Sequence, residues 1–173
     1  EVTPHHLLLT DELATTYDPV FKVNPPLRTQ RDVMALREGL ADGTIDIVAT
    51  DHAPHPAESK ECEWQYAAFG MLGLETALSI VWQTMIESKL MDINSLQSRM
   101  STVPAQIGRY HMHGLALKEG APANLTLFAP NKTWKVDRDL VASKSKNTPF
   151  HGMEFKGQVV ATYFDARESW RLK

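Results

Sequence analysis

"TQRDVMALREGLADGTIDIVATDHAPH", Thr29 to His55, is the stretch on which the fold class turns. Thr29 is placed to cap a helix, with Asp32 three residues on. Val33, Leu36 and Leu40 recur on one face, and Gly43 supplies a stop. "TIDIVAT" then turns β-branched and apolar, which reads as a strand. Upstream, Val2 and the Leu7–Leu9 triplet read as the end of another buried strand, although the triplet alone also suits a helix. Strand, helix, strand implies a right-handed crossover in a parallel sheet. Asp51, His52 and His55 would then stand at the carboxyl edge of that sheet, where loops carry reacting groups. For a single Asp the ordinary reading is a polar turn after a strand, so the rest of the chain must decide.

The 173 residues carry a formal net charge of −3 and are 43% hydrophobic, ordinary values for a globular domain with room for a small second module. No basic run points to nucleic acid, and no apolar stretch approaches the ~20 residues needed to span a bilayer. The single cysteine, Cys62, excludes an internal disulfide and a multi-cysteine zinc site. It fits a reducing compartment, and a cytoplasmic location is expected. The chain opens at Glu1 with no basic and apolar leader, and reads as cut from something longer.

Elsewhere, Pro25 and Pro26 in "FKVNPPL" forbid helix and hold Asn24 on irregular backbone. His52 to Met71 is polar, then carries Trp64, Tyr66, Phe69 and Gly70. Such a long connection is expected to close over a site. "LGLETALSIVWQTMIESKL" and "NSLQSRMST" read as amphipathic helices, and "PAQIGRYH" as a short one opened by Pro104. After Gly114, "APANLTLFAP", "TWKVD" and "GQVVATYFD" are short β-type runs between turn residues. The expected division is therefore 1–115, strand and helix, and 116–173, a small β-rich module, with the boundary near Leu115 to Gly120.

Asp51, His55, His5, His6 and Asn24 all fall at strand ends or in loops that a parallel sheet gathers on one rim. Carboxylate and imidazole bind zinc well, a zinc-bound water ionises near pH ~7, and a neighbouring carboxylate can carry its proton. If extended, His5 and His6 point to opposite sides, so one of them is structural. His111, His113 and His151 read as surface or capping residues, and His52 as a loop residue bonded to backbone. Gly70 either supplies positive φ or lets backbone amides approach a ligand. With no nucleophile elbow, phosphate loop or cysteine constellation, metal-assisted hydrolysis is the surviving chemistry.

With these residues in view, the sequence resembles the C-terminal part of a bacterial dihydroorotase of the amidohydrolase superfamily. "EVTPHHLLL", "VNPPLR", "DGTIDIVATDHAPH", "FGMLGLET" and "KNTPF.G" occur in the family's order, from Glu1 to about Lys156. The resemblance implies an α/β fold, the C-terminal portion of a (β/α)8 TIM-type barrel with a small flanking β-sandwich. It also implies two zinc ions and the interconversion of N-carbamoyl-L-aspartate and L-dihydroorotate in pyrimidine biosynthesis. By the same resemblance Asp51 is a metal ligand and the general acid/base. His55 binds the substrate carboxylate, Asn24 hydrogen-bonds the substrate, and Phe69 and Gly70 give backbone contacts to its ring. His6 is a weaker metal candidate.

The family's His-x-His pair, its bridging carboxylate or modified lysine and two further histidines would all belong upstream of Glu1. A zinc site normally uses three or more protein ligands, so the chain alone is expected to be inactive. Its expected partners are a small-molecule substrate and the upstream half of the same protein, with a homodimer or aspartate transcarbamoylase also compatible with the family. Two other readings stand beside this one. One is a non-catalytic scaffold chain. The other is a sister cyclic amidohydrolase, allantoinase or hydantoinase, which should lack the pair Asn24 and His55.

Overall fold

The computed structural model describes residues 1–172. Helix α1 runs from Gln30 to Asp42 as the spacing predicts. The Thr29 hydroxyl accepts from the Asp32 amide at 3.3 Å, and the Asp32 carboxylate accepts from the Thr29 amide at 3.2 Å, a reciprocal capping box. Gly43 ends the helix in the left-handed conformation. Val33 and Leu40 turn inward, and Leu40 packs with Val2, Leu7, Val48 and Val81.

The expected parallel pairing is present but short. Val2 bridges Val48 in parallel, through Val2 N–H to Ile47 O and Ala49 N–H to Val2 O, each 3.0 Å. Thr10 with Arg28, and His52 with Met71, make two more parallel bridges. The strand–helix–strand order is therefore right, and the extent of its strands is corrected: each contributes single bridged positions. After Val2 the chain turns at once into a 3-10 helix, His5–Leu7, the helical option of the apolar triplet. Further 3-10 turns occupy Asp11–Thr16 and Pro19–Phe21.

The connection after His52 contains a short helix, α2, Ala57–Lys60. Helix α3, Ala77–Val81, continues into a π-helical turn, Trp82–Ile86. The hydroxyls of Thr84 and Ser88 bond back to the carbonyls of Ile80 (2.8 Å) and Thr84 (2.6 Å), the four-residue pattern that loosens a helix. The two helices expected next are one continuous run: α4, Ile93–Gln97, a π-turn, Ser98–Thr102, and α5, Val103–Ile107. Pro104 lies just past the π-turn. A widened turn there accommodates its missing N–H and its ring, which an unbroken α-helix cannot do without a kink.

The C-terminal runs form one antiparallel sheet in the order β1–β2–β3, from Leu125–Lys135, Glu154–Phe164 and Arg167–Arg171. The two runs expected around Pro130 are a single strand, whose register slips between Ala129 and Thr133. β1 is an edge strand, and an irregularity at an edge is where a strand tolerates proline. Only one sheet is found among the described residues, so its cover is helical: α3 and the π-turn lie on β2. The Ser79 hydroxyl donates to Gly157 O at 2.6 Å, Trp134 Nε1 donates to the same carbonyl at 2.9 Å, and Trp82 packs on Phe128. Phe150 and Phe155 of this half share a buried cluster with Leu9, Val23, Met71 and Ile80 of the other.

Because Leu40 is fully buried, Leu40→Ala should cost about 2–5 kcal/mol, read as a lower urea midpoint at unchanged slope. A loss within experimental error would show that α1 is not seated on the core as described.

Candidate functional site

Asp51 follows the bridged Val48 by three residues and sits at φ 47°, a left-handed conformation that Asp adopts more readily than most residues. Its side chain is exposed and joins none of the four ion pairs of the described residues. The next residue, His52, bridges Met71, and its Nδ1 accepts from the Gly73 amide at 3.1 Å, so it organises backbone as expected.

His55 is tied into the loop that bears the other candidates. Its Nε2 lies 2.8 Å from the Phe69 carbonyl. A carbonyl only accepts, so Nε2 carries the proton and Nδ1 is the nitrogen left for a ligand. Gly70 is buried with φ 126°, and a Cβ there would stand 3.1 Å from His55 Nε2. Of the two readings of Gly70, the positive φ is present, and its close neighbours in the folded chain are Ala53 and His55. Phe69 itself is exposed, with Lys22 Nζ 4.6 Å from its ring centroid.

Asn24 is exposed on the Pro25–Pro26 turn. Two contacts fix that turn. The Gly70 amide donates to Lys22 O at 2.9 Å, and His6 Nε2 donates to Pro25 O at 3.0 Å. His6 Nδ1 accepts from the Thr3 hydroxyl at 2.7 Å. Both ring nitrogens of His6 thus have protein partners, and in this fold His6 acts as a brace for the Asn24 turn. The His55 ring is bonded to Phe69 O, the Gly70 amide to Lys22 O two residues before Asn24, and Asp51 adjoins them through the His52–Met71 bridge.

Sequence reasoning quoted Asn147 within "KNTPF.G" and gave it no role. Buried Asn147 accepts from the His55 amide at 3.2 Å, donates to the carbonyls of Ala53 (2.9 Å) and Gly70 (3.4 Å), and accepts from the Leu72 amide at its own carbonyl (3.1 Å). One amide side chain therefore joins the Asp51–His55 loop to the Phe69–Gly70 loop. A polar residue between Lys146 and Thr148 gives no local signal for such a long-range clamp. A cleft of about 520 Å³ opens beside His55, lined also by Lys60, Asn147, Lys146 and Arg138.

His5 is structural as His6 is, and the pair lies at a 3-10 turn rather than on the extended backbone that would have sent the two rings to opposite sides. His5 is 1% exposed, and its Nε2 has no hydrogen-bond partner. Burial first, and the neighbouring His6 second, bring its pKa from 6.5 down to about 3. The unfolded chain protonates this ring near pH 6.5 and the folded chain refuses the proton until about 3, so stability falls as pH drops through that window. The slope from His5 can reach about 1.4 kcal/mol per pH unit. Urea unfolding at pH 7 and pH 5 should show this loss, and His5→Leu should flatten it. Equal pH dependence in the variant would assign the effect elsewhere.

No protein-family model matches the chain. Among solved structures, L-hydantoinase (dihydropyrimidinase) of Arthrobacter aurescens superposes on 98% of the chain with a TM-score of 0.89 at 32% identity, using 38% of its own length. A D-hydantoinase from Thermus superposes with a TM-score of 0.83 at 22% identity, a likeness of fold alone. The described α/β piece is thus part of an amidohydrolase-type fold.

Sequence narrows the class. The dihydroorotase of Streptomyces coelicolor is 61% identical over 163 residues, and that of Mycobacterium tuberculosis 51% identical over 162; each match takes in 94% of this chain. Over these residues the chain is similar in sequence to dihydroorotases, and it spans about 38% of the length of these curated relatives.

Proposed function

We propose that this chain supplies the C-terminal part of a dihydroorotase, including the last strands of its (β/α)8 barrel and a small β module at 116–173, and that it opens L-dihydroorotate to N-carbamoyl-L-aspartate, and reverses this, only when joined to the upstream part. The observation that carries the proposal is the bonding of the His55 ring to Phe69 O and of the Gly70 amide to Lys22 O, two residues before Asn24, next to the exposed carboxylate of Asp51, in a chain 61% identical to a dihydroorotase over 163 residues. Asp51 takes a proton from the attacking water and returns it to the departing ring nitrogen. His55, with Nε2–H engaged by Phe69 O, meets the substrate carboxylate through Nδ1; donating from both nitrogens makes the ring cationic, the charge that suits an anion. Asn24 hydrogen-bonds the substrate, and the Phe69–Gly70 backbone lies along its ring.

The family's two zinc ions are not accommodated by this chain alone. Among the described residues no group of three or more His, Cys, Asp or Glu could hold a metal. Asp51 would be one ligand, with the others on the upstream part; His6, a weaker candidate, has both ring nitrogens bonded to protein groups in this fold. No helix of the described residues is long and apolar enough to cross a membrane, which accords with our reading of a cytoplasmic enzyme of pyrimidine synthesis. The hydantoinase likeness, at 32% identity, supports a sister reading in which the ring lacks a carboxylate.

The two part company on substrate. With the upstream segment of the Streptomyces coelicolor relative fused before Glu1, the protein should open L-dihydroorotate and leave hydantoin lacking a carboxylate largely untouched. The opposite preference would establish the sister reading.

A further inference from the structure

Two lysines are among the buried residues, Lys22 at 7% and Lys60 at 6% exposure, and neither joins a carboxylate in the ion pairs of the described residues. Charged side chains are seldom buried unless paired, because an ammonium leaves water at a cost of several kcal/mol. Here the partners are backbone carbonyls. Lys22 Nζ donates to Trp64 O (2.6 Å), Gln65 O (3.3 Å) and Ala67 O (2.7 Å). Lys60 Nζ donates to Ala68 O (2.9 Å), Gly70 O (2.9 Å) and Lys22 O (3.3 Å). Each ammonium has three N–H donors, and each here meets three acceptors.

The consequence falls on the loop from Glu61 to Gly70. Its carbonyls at 64, 65, 67, 68 and 70 turn inward to the two cations, while Tyr66 and Phe69 turn outward, 74% and 57% exposed. The bonds Gly70 N–H to Lys22 O and Ala68 N–H to Ser59 O, each 2.9 Å, close the same arrangement. Burial first and the nearby Lys22 second bring the Lys60 pKa down to about 8, with Asp18 and Cys62 acting the other way. The fold therefore keeps two like charges close together at this loop and nowhere offsets them with a bonded carboxylate.

Resting on the dihydroorotase reading above, we infer that Lys22 and Lys60 are positioning residues for the substrate: they hold the Glu61–Gly70 loop so that the Phe69–Gly70 backbone and the His55 ring bonded to it present a fixed face to the ring of the bound molecule. Neither lysine touches the reacting atoms. Lys22 also stands two residues before Asn24, so the same device sets the Asn24 turn against the loop.

The test uses the fusion described above, with Lys22→Met and Lys60→Met singly. Met keeps the length and apolar stem and removes the donors. KM for L-dihydroorotate should rise about tenfold or more while kcat per folded molecule stays within about threefold, and chymotrypsin should cut at Trp64, Tyr66 or Phe69 faster than in the parent. A lysine serving only global stability would instead lower the amount of folded protein at unchanged KM, and that result, or an unchanged loop cleavage rate, overturns the inference. If the parent fusion has no ring-opening activity, the dihydroorotase reading fails, and loop cleavage in the folded 173-residue chain then decides for or against the lysine clamp by itself.

Discussion

Asp51→Asn in the completed enzyme is expected to lower turnover of L-dihydroorotate by about 10³-fold or more, since removing a positioned general acid/base alone costs on the order of 10²–10⁴. Asn is the informative replacement. It tolerates the left-handed conformation in which Asp51 is held, at φ 47°, so the backbone and the His52–Met71 bridge should survive. It also keeps an oxygen that can face a metal while losing the capacity to accept and return a proton. The exposed carboxylate has no bond to a protein group to lose, so unfolding midpoints of the metal-free protein should match the parent. A variant that keeps the parental rate would remove Asp51 from the chemistry.

Gly70→Ala is the second large effect, and it joins fold to site. At φ 126° the backbone is in territory that L-residues rarely enter, worth about 1–3 kcal/mol by itself. The added Cβ would also lie 2.5 Å from Ala53 Cβ and 3.1 Å from His55 Nε2. Ala53 cannot easily withdraw, because its amide donates to Met71 O at 3.0 Å and its carbonyl accepts from Asn147. Gly120→Ala is the control: φ is 81° and a Cβ there meets nothing within 4 Å. The difference between the two variants in urea unfolding measures the overlap, and only Gly70→Ala should also lose activity. Equal losses in the two would show that the Gly70 contact to His55 does not exist.

The legible parts of this molecule were those written in local sequence. Helix α1 carries its cap, its periodic face and its stop within fifteen residues, and all three are found as read. The order strand, helix, strand was likewise legible, since it needs only periodicity and the rule of crossover handedness. Strand length was not. How many rungs form beside Val2 or Val48 depends on neighbouring backbone, and a short sequence window cannot show which neighbours are at hand. The π-turns before Glu87 and Pro104 have local features beside them, the Thr84 and Ser88 hydroxyls and Pro104, but residue type alone does not say that the helix will widen there.

The same division runs through the site. Asp51, His55 and Gly70 stand out in the sequence because their residue types and a family resemblance draw attention to them. The roles of Asn147 and Lys22 were hidden because each acts on backbone groups far away in sequence, 92 residues in the case of Asn147 and His55, and that of Lys60 because a lysine gives no sign that its ammonium will turn inward to carbonyls. His5 and His6, adjacent and identical, differ entirely in duty: one is buried without a partner at Nε2, the other bonded at both nitrogens. The Pro25–Pro26 turn and the Thr3 hydroxyl, both bonded to His6, tell them apart.

The most direct measurement of the central claim, that this chain carries one part of a divided site, is ring opening of L-dihydroorotate by the 173-residue chain alone, by the upstream segment of the Streptomyces coelicolor relative alone, and by the two fused, each with added zinc. Activity confined to the fused protein is the predicted result. Activity in the 173-residue chain alone would contradict it, since Asp51 would then have to build a working centre with residues that this structure keeps apart.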